Sequence, residues 1–73
     1  MSSLTLEFTI LGEPASITVE FGSDPDKPFA AMRLAYGDFR TAGLANVKHC
    51  LGDSFDPLMA HVLQERDLQT SFQ

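Results

Sequence analysis

The sequence predicts an α+β fold: an N-terminal antiparallel β-hairpin with two or three short α-helices packed on its apolar face. Three observations lead there. Two seven-residue runs near the start alternate apolar and polar residues, an apolar stripe at spacings of three, four and three follows, and two further apolar sets recur at helical spacing before the chain turns polar.

The first run, "LTLEFTI", sets Leu4, Leu6, Phe8 and Ile10 on one side and Thr5, Glu7 and Thr9 on the other. The second, "ASITVEF", sets Ala15, Ile17, Val19 and Phe21 against Ser16, Thr18 and Glu20. Period two with β-branched and aromatic residues is the pattern of a half-buried strand. "LGEP" between them is turn chemistry. A two-residue Gly12-Glu13 loop would make Leu11 and Pro14 the closing pair, and Pro14 has no N–H to give it. A four-residue loop closed by Ile10 and Ala15 is therefore expected. It pairs Phe8 with Ile17, Leu6 with Val19, Leu4 with Phe21, and Glu7 with Thr18.

"GSDPDKPF" breaks the second strand, and Asp24 or Asp26 is placed to cap a helix. Phe29, Met32, Tyr36 and Phe39 then form one stripe at helical spacing. Either the helix runs through Gly37 to about Arg40, or it stops there and Asp38 caps the next one. Leu44, Val47 and Leu51 repeat at helical spacing, so a short helix closed by Gly52 is expected. Asp53 or Asp56 caps a last helix carrying Leu58, Met59, Val62 and Leu63. Two strands alone are not stable in water, so the helices are expected to cover the hairpin's apolar face. The expected core is Leu6, Phe8, Ile17, Val19, Phe29, Met32, Tyr36, Leu44, Val47, Leu58 and Val62. The whole is one domain over 1–73, with the hairpin at 3–21, a helical part at 26–68 and a frayed end at 69–73.

Composition narrows the function. With 44% hydrophobic and 21% charged residues the chain is globular in type. Its one cysteine forms no internal disulfide and fits a reducing compartment. The start, "MSSLTLEFTI", has no basic region and already alternates like a strand, so no signal peptide is expected. No apolar run reaches the roughly 18 residues of a membrane span. A soluble, cytoplasmic protein with no membrane partner is expected.

The formal charge is −5. Residues 1–26 hold Glu7, Glu13, Glu20, Asp24 and Asp26 and no base, whereas 27–51 hold Lys27, Arg33, Arg40 and Lys48 against Asp38. Net acid argues against direct nucleic-acid binding, which needs a basic face, and for a partner with a basic surface. A DNA mimic would need dense, regular acid, which the four central bases spoil.

The stretch richest in reactive residue types is "KHCLGDSFDPLMAH", Lys48 to His61. His49, Cys50, Asp53 and His61 are competent metal ligands, but their spacing matches no paired-ligand zinc pattern, so no metal is expected. Cys50 beside His49 suggests a nucleophile. Adjacent helical residues point about 100° apart, however, and do not face each other. "LGDSFDPLM" resembles the attachment site of acyl and peptidyl carrier proteins, which would put phosphopantetheine on Ser54. Those proteins are all-helical, and here a hairpin precedes the serine. The stretch reads as a joint between helices: Gly52 ends one, Asp53, Ser54 and Asp56 are capping types, and Pro57 suits a first turn. No cofactor and no enzymatic activity are expected.

What remains is a small acidic protein-binding module, acting as an inhibitor or adaptor of a larger macromolecular complex. In size, acidity and hairpin-plus-helices layout it is similar to small phage-encoded proteins that block host machinery, anti-CRISPR proteins among them. On that resemblance it would work in the cytoplasm of a bacterial host. The expected partner-binding residues are Glu7 and Glu20, with Thr5 and Thr18 beside them and Asp24 and Asp26 extending the acid at the end of the second strand. The competing expectation is an assembly subunit, such as a homodimer, that self-associates through hairpin edges.

Overall fold

The computed structural model describes residues 3–71, with side chains described as far as Leu68. Four antiparallel strands form one sheet in chain order: β1 (Ser3–Ile10), β2 (Glu13–Phe21), β3 (Phe29–Tyr36) and β4 (Phe39–Ala42). A single helical arm follows, running from Leu44 through a bend at Gly52. Its first part is α1 (Leu44–Leu51), a 3-10 turn spans Gly52–Ser54, and α2 (Phe55–Ser71) completes it.

The class is α+β, but the expected hairpin with two or three helices is not what the chain builds. Residues 29–40, read as helical, and Thr41 and Ala42, read as the start of the next helix, form the third and fourth strands. Their spacing imitates a helix for a definable reason. Phe21 pairs with Phe29 and Glu20 with Ala31, so Ala30 is an extra residue, a β-bulge. The bulge turns Phe29 and Met32, three apart, to the same side of the sheet. Met32, Leu34 and Tyr36 then alternate normally, and Phe39 pairs with Tyr36 across the two-residue turn Gly37-Asp38. Gly37 adopts φ +57°, the positive value that the first position of a type II′ hairpin turn needs. Asp24 and Asp26 cap no helix. They lie in the β2–β3 loop, where the Asp26 N–H donates to the Asp24 side chain at 2.9 Å.

The first hairpin spans the expected residues with the expected faces, but its register differs by two. Ile10 pairs with Glu13, Phe8 with Ala15, Leu6 with Ile17, Leu4 with Val19 and Glu7 with Ser16. The turn is Leu11-Gly12, with φ of +52° and +84°, the two positive values of a type I′ turn. Placing the turn there leaves Pro14 opposite Thr9, in a pair that exchanges no hydrogen bonds, so its missing N–H costs β1 nothing. The concession falls on Leu11, a bulky residue in left-handed backbone and 95% exposed.

The helical arm covers one face of the sheet. Ile17, Val19, Val47 and Val62 are fully buried, and Phe21, Met32, Leu34, Phe55 and Met59 complete the core. Leu6, Phe8, Phe29, Tyr36 and Leu58, all expected in the core, are half-buried, and Leu44 is exposed. Ala15, Phe21, Leu34, Phe55 and Met59 are buried without having been expected. Arg66 of α2 lies 5.5 Å from the centre of the Phe21 ring, an additional cation–π contact between arm and sheet. Gly52 ends α1 with φ +57°, as its glycine predicts, and its N–H donates to the Lys48 carbonyl. Of the end expected to fray at 69–73, residues 69–71 continue α2, and 72–73 lie outside the described residues. No helix among these is long and apolar enough to cross a membrane.

Candidate functional site

The helical arm occupies one face of the sheet, and the other face is open. Strand alternation decides which side chains stand there: Thr5, Glu7 and Thr9 from β1, Ser16, Thr18 and Glu20 from β2, Arg33 and Ala35 from β3, Arg40 and Ala42 from β4. The register arranges them in rows across the sheet. Glu7, Ser16, Ala35 and Arg40 are successive cross-strand partners, and Thr5, Thr18, Arg33 and Ala42 form the next row. Ser3, Glu20 and Ala31 make a third. Two adjoining depressions of about 570 and 460 Å³ lie on this face and share Ser16, Ala35 and Arg40.

The charges are segregated. Both carboxylates stand on β1 and β2, and both guanidinium groups on β3 and β4. Short hydroxyl and methyl side chains fill the ground between them. Thr5 and Thr18 share a hydrogen bond between their hydroxyls at 3.1 Å. The Arg40 guanidinium donates to the carbonyls of Gly37 at 2.7 Å and Phe39 at 2.9 Å. That fixes the side chain near the β3–β4 turn while leaving further N–H groups to donate elsewhere. Among the described residues, none of Glu7, Glu20, Arg33 and Arg40 takes part in an ion pair.

Of the residues expected to bind a partner, Glu7, Glu20, Thr5 and Thr18 share this face. Asp24 and Asp26 lie in the exposed loop beyond the Glu20 end of the sheet, with Asp24 partly engaged in holding that loop. Arg33 and Arg40 were missed as members of the face, because a helix over 29–40 would have carried them away from the hairpin. The Gly-Asp pair between "FAAMRLAY" and "FRTA" was the signal that could have found them, since two such residues between strand-like runs mark a tight hairpin.

The outer edge of β1 is a second exposed feature. A two-residue turn makes Ile10 and Glu13 the hydrogen-bonded closing pair. Ser3, Thr5, Glu7 and Thr9 therefore turn their backbone N–H and C=O groups away from β2. Glu7 places a charge in the middle of that edge, a known guard against edge pairing.

The Lys48 to His61 stretch forms the bend of the helical arm. Cys50, Ser54 and His61 line a groove of about 590 Å³ beside Phe8, Ile10 and Leu58. His61 stands 3.9 Å from Glu65, one helical turn on. No group of three His, Cys, Asp or Glu side chains among the described residues is placed to hold a metal ion. Searches against protein families, characterised proteins and solved structures found no match to this chain.

Proposed function

We propose that this chain is a protein-binding module that works as an inhibitor or adaptor by laying its open sheet face on a larger complex. The observation that carries the reading is that face itself: polar, left uncovered by the helical arm, and holding four charged side chains with no ion-pair partner among the described residues. An ordinary solvated strand face has scattered charge of both signs. Here acid and base occupy separate halves, which favours a partner surface with base opposite Glu7 and Glu20 and acid opposite Arg33 and Arg40. Short Thr, Ser and Ala side chains lose little rotamer entropy when covered, which lowers the cost of docking. Size and acidity still support the likeness to small phage-encoded inhibitors; the layout no longer does. A cytoplasmic location suits the exposed, free Cys50.

Changing Glu7 and Glu20 together to Lys tests the reading. Neither carboxylate supports the fold through an ion pair, so the melting temperature should stay nearly constant. Binding to the partner should weaken at least tenfold, about 1.4 kcal/mol, and its salt dependence should change. Unchanged affinity in a folded double variant would remove the acidic half of the face from the interface.

A further inference from the structure

We infer that the open face is self-complementary and closes on a second copy of this chain in a two-fold, face-to-face dimer. The inference rests on the reading that this face is the docking surface, and it names one occupant.

The argument is the arrangement of charge along the rows. A two-fold axis lying between two facing sheets and parallel to their strands exchanges the two halves of the face. It carries β1 of one copy over β4 of the other, and β2 over β3. Rows stay in place under that operation. Glu7 and Arg40 are the two ends of one row, so Glu7 of each copy comes to lie over Arg40 of the other. Glu20 of each copy lands over Ala31, two residues along β3 from Arg33 and roughly 7 Å from it along the strand. Arg33 lands over Thr18, its own cross-strand partner in the row. Two opposite-charge pairs are thus superimposed, two more are diagonal neighbours, and no like charges are superimposed. A two-fold axis across the strands would instead set the acidic half on the acidic half. The charge pattern therefore selects the operator as well as the partner.

The remaining side chains allow the approach. Packed sheets stand about 10 Å apart. Ser16, Thr18, Ala31 and Ala35 around the axis are short and leave space for the two Arg33 and the two Glu20 side chains. Facing sheets pack rotated by about 30°, which displaces the corners of the face by a few ångströms. Glu7 and Arg40 stand on the two outer strands, at the side edges of the face, and the reach of their long side chains absorbs an offset of that size. Four strands by about 20 Å of strand give a face of roughly 400 Å², or about 800 Å² in the dimer. That is well below a standard stable interface, so the dimer is weak and concentration-dependent. Dimerisation and partner binding then compete for one surface.

Sedimentation equilibrium up to about 1 mM protein tests this, a range that captures dissociation constants weaker than micromolar. The wild-type chain should shift from monomer toward dimer as concentration rises. Two variants decide the interface: Glu7→Arg with Glu20→Arg, whose face is wholly basic, and Arg33→Glu with Arg40→Glu, whose face is wholly acidic. Each alone should associate at least tenfold more weakly than wild type while keeping its melting temperature. An equimolar mixture of the two should form a heterodimer. A wild-type chain that remains monomeric throughout would overturn the dimer, yet leave the docking reading standing, since that is read from partner binding. Variants that each dimerise as well as wild type, or that fail to associate on mixing, would equally overturn it.

Discussion

Ile17→Ala should leave the protein largely unfolded at room temperature. Ile17 is 0% exposed, at the centre of the sheet between Leu6 and Leu34, where β2 has a neighbour on each side and the helical arm above. Truncating a fully buried Ile costs about 2–5 kcal/mol, from lost transfer energy and the cavity left behind. A domain of this size has only about 5 kcal/mol in total. Urea denaturation followed by circular dichroism should show the midpoint falling to near zero denaturant. Phe8→Ala is the informative contrast. A four-residue loop would have buried Phe8 opposite Ile17; the observed register leaves it half-buried on an edge strand, opposite Ala15. Its loss should cost about 1–3 kcal/mol, less than a fully buried Phe. Equal destabilisation by both changes would mean that the sheet's centre lies elsewhere.

Val62→Asp should be at least as damaging, for a different reason. Val62 is fully buried on the face of α2 that meets the sheet. A carboxylate there enters a core that holds no buried polar or charged residue among those described, and Arg66, one helical turn on, is already held over the Phe21 ring. Burying it unpaired costs several kcal/mol, so the arm must undock or the side chain must be protonated. Ala60→Asp, on the exposed side of the same helix, should cost less than about 1 kcal/mol, little beyond helix propensity. A cooperative thermal transition in Ala60→Asp and none in Val62→Asp is the expected pair of results. If Val62→Asp melts like wild type, the arm does not cover the sheet through this residue.

How far the fold could be read from the residues depended on whether a single period held. "LTLEFTI" and "ASITVEF" keep period two without interruption, so the hairpin at 3–21 and the assignment of its faces follow directly. The register differs by two because the turn is Leu11-Gly12, with exposed Leu11 in left-handed backbone, a choice that alternation cannot report. "LANVKHCL" followed by Gly52 combines helical spacing with its stop signal, and α1 ends where expected. Residues 29–42 misled because the bulge at Ala30 and the Gly37-Asp38 turn together put Phe29, Met32, Tyr36 and Phe39 on one side at helix-like intervals. Ala30, Ala31, Met32, Arg33 and Leu34 are good helix formers, and local propensity gave no warning. The sheet overrode it, because Met32 and Leu34 complete an apolar surface that β2 alone leaves open.

The same misreading hid half of the candidate site. Glu7, Glu20, Thr5 and Thr18 share a face by period two alone. That Arg33 and Arg40 stand in the same rows depends on β3 and β4, and so on the bulge and the tight turn. The acid-rich first third and the base-rich middle of the chain, visible as a charge asymmetry along the sequence, become two halves of one surface only when the meander folds them side by side.

We propose that the open sheet face, and not the helical arm, is the surface this protein works through. Photo-crosslinking in its native cell tests that most directly, with a photoreactive amino acid at Thr18, in the middle of the face, or at Gln64, exposed on α2. The Thr18 probe should yield a discrete adduct, with a second copy or with the partner complex as its mass reports, and Glu7→Lys with Glu20→Lys should suppress it. The Gln64 probe should yield none. A discrete adduct from Gln64 together with silence from Thr18 would move the working surface to the helical arm.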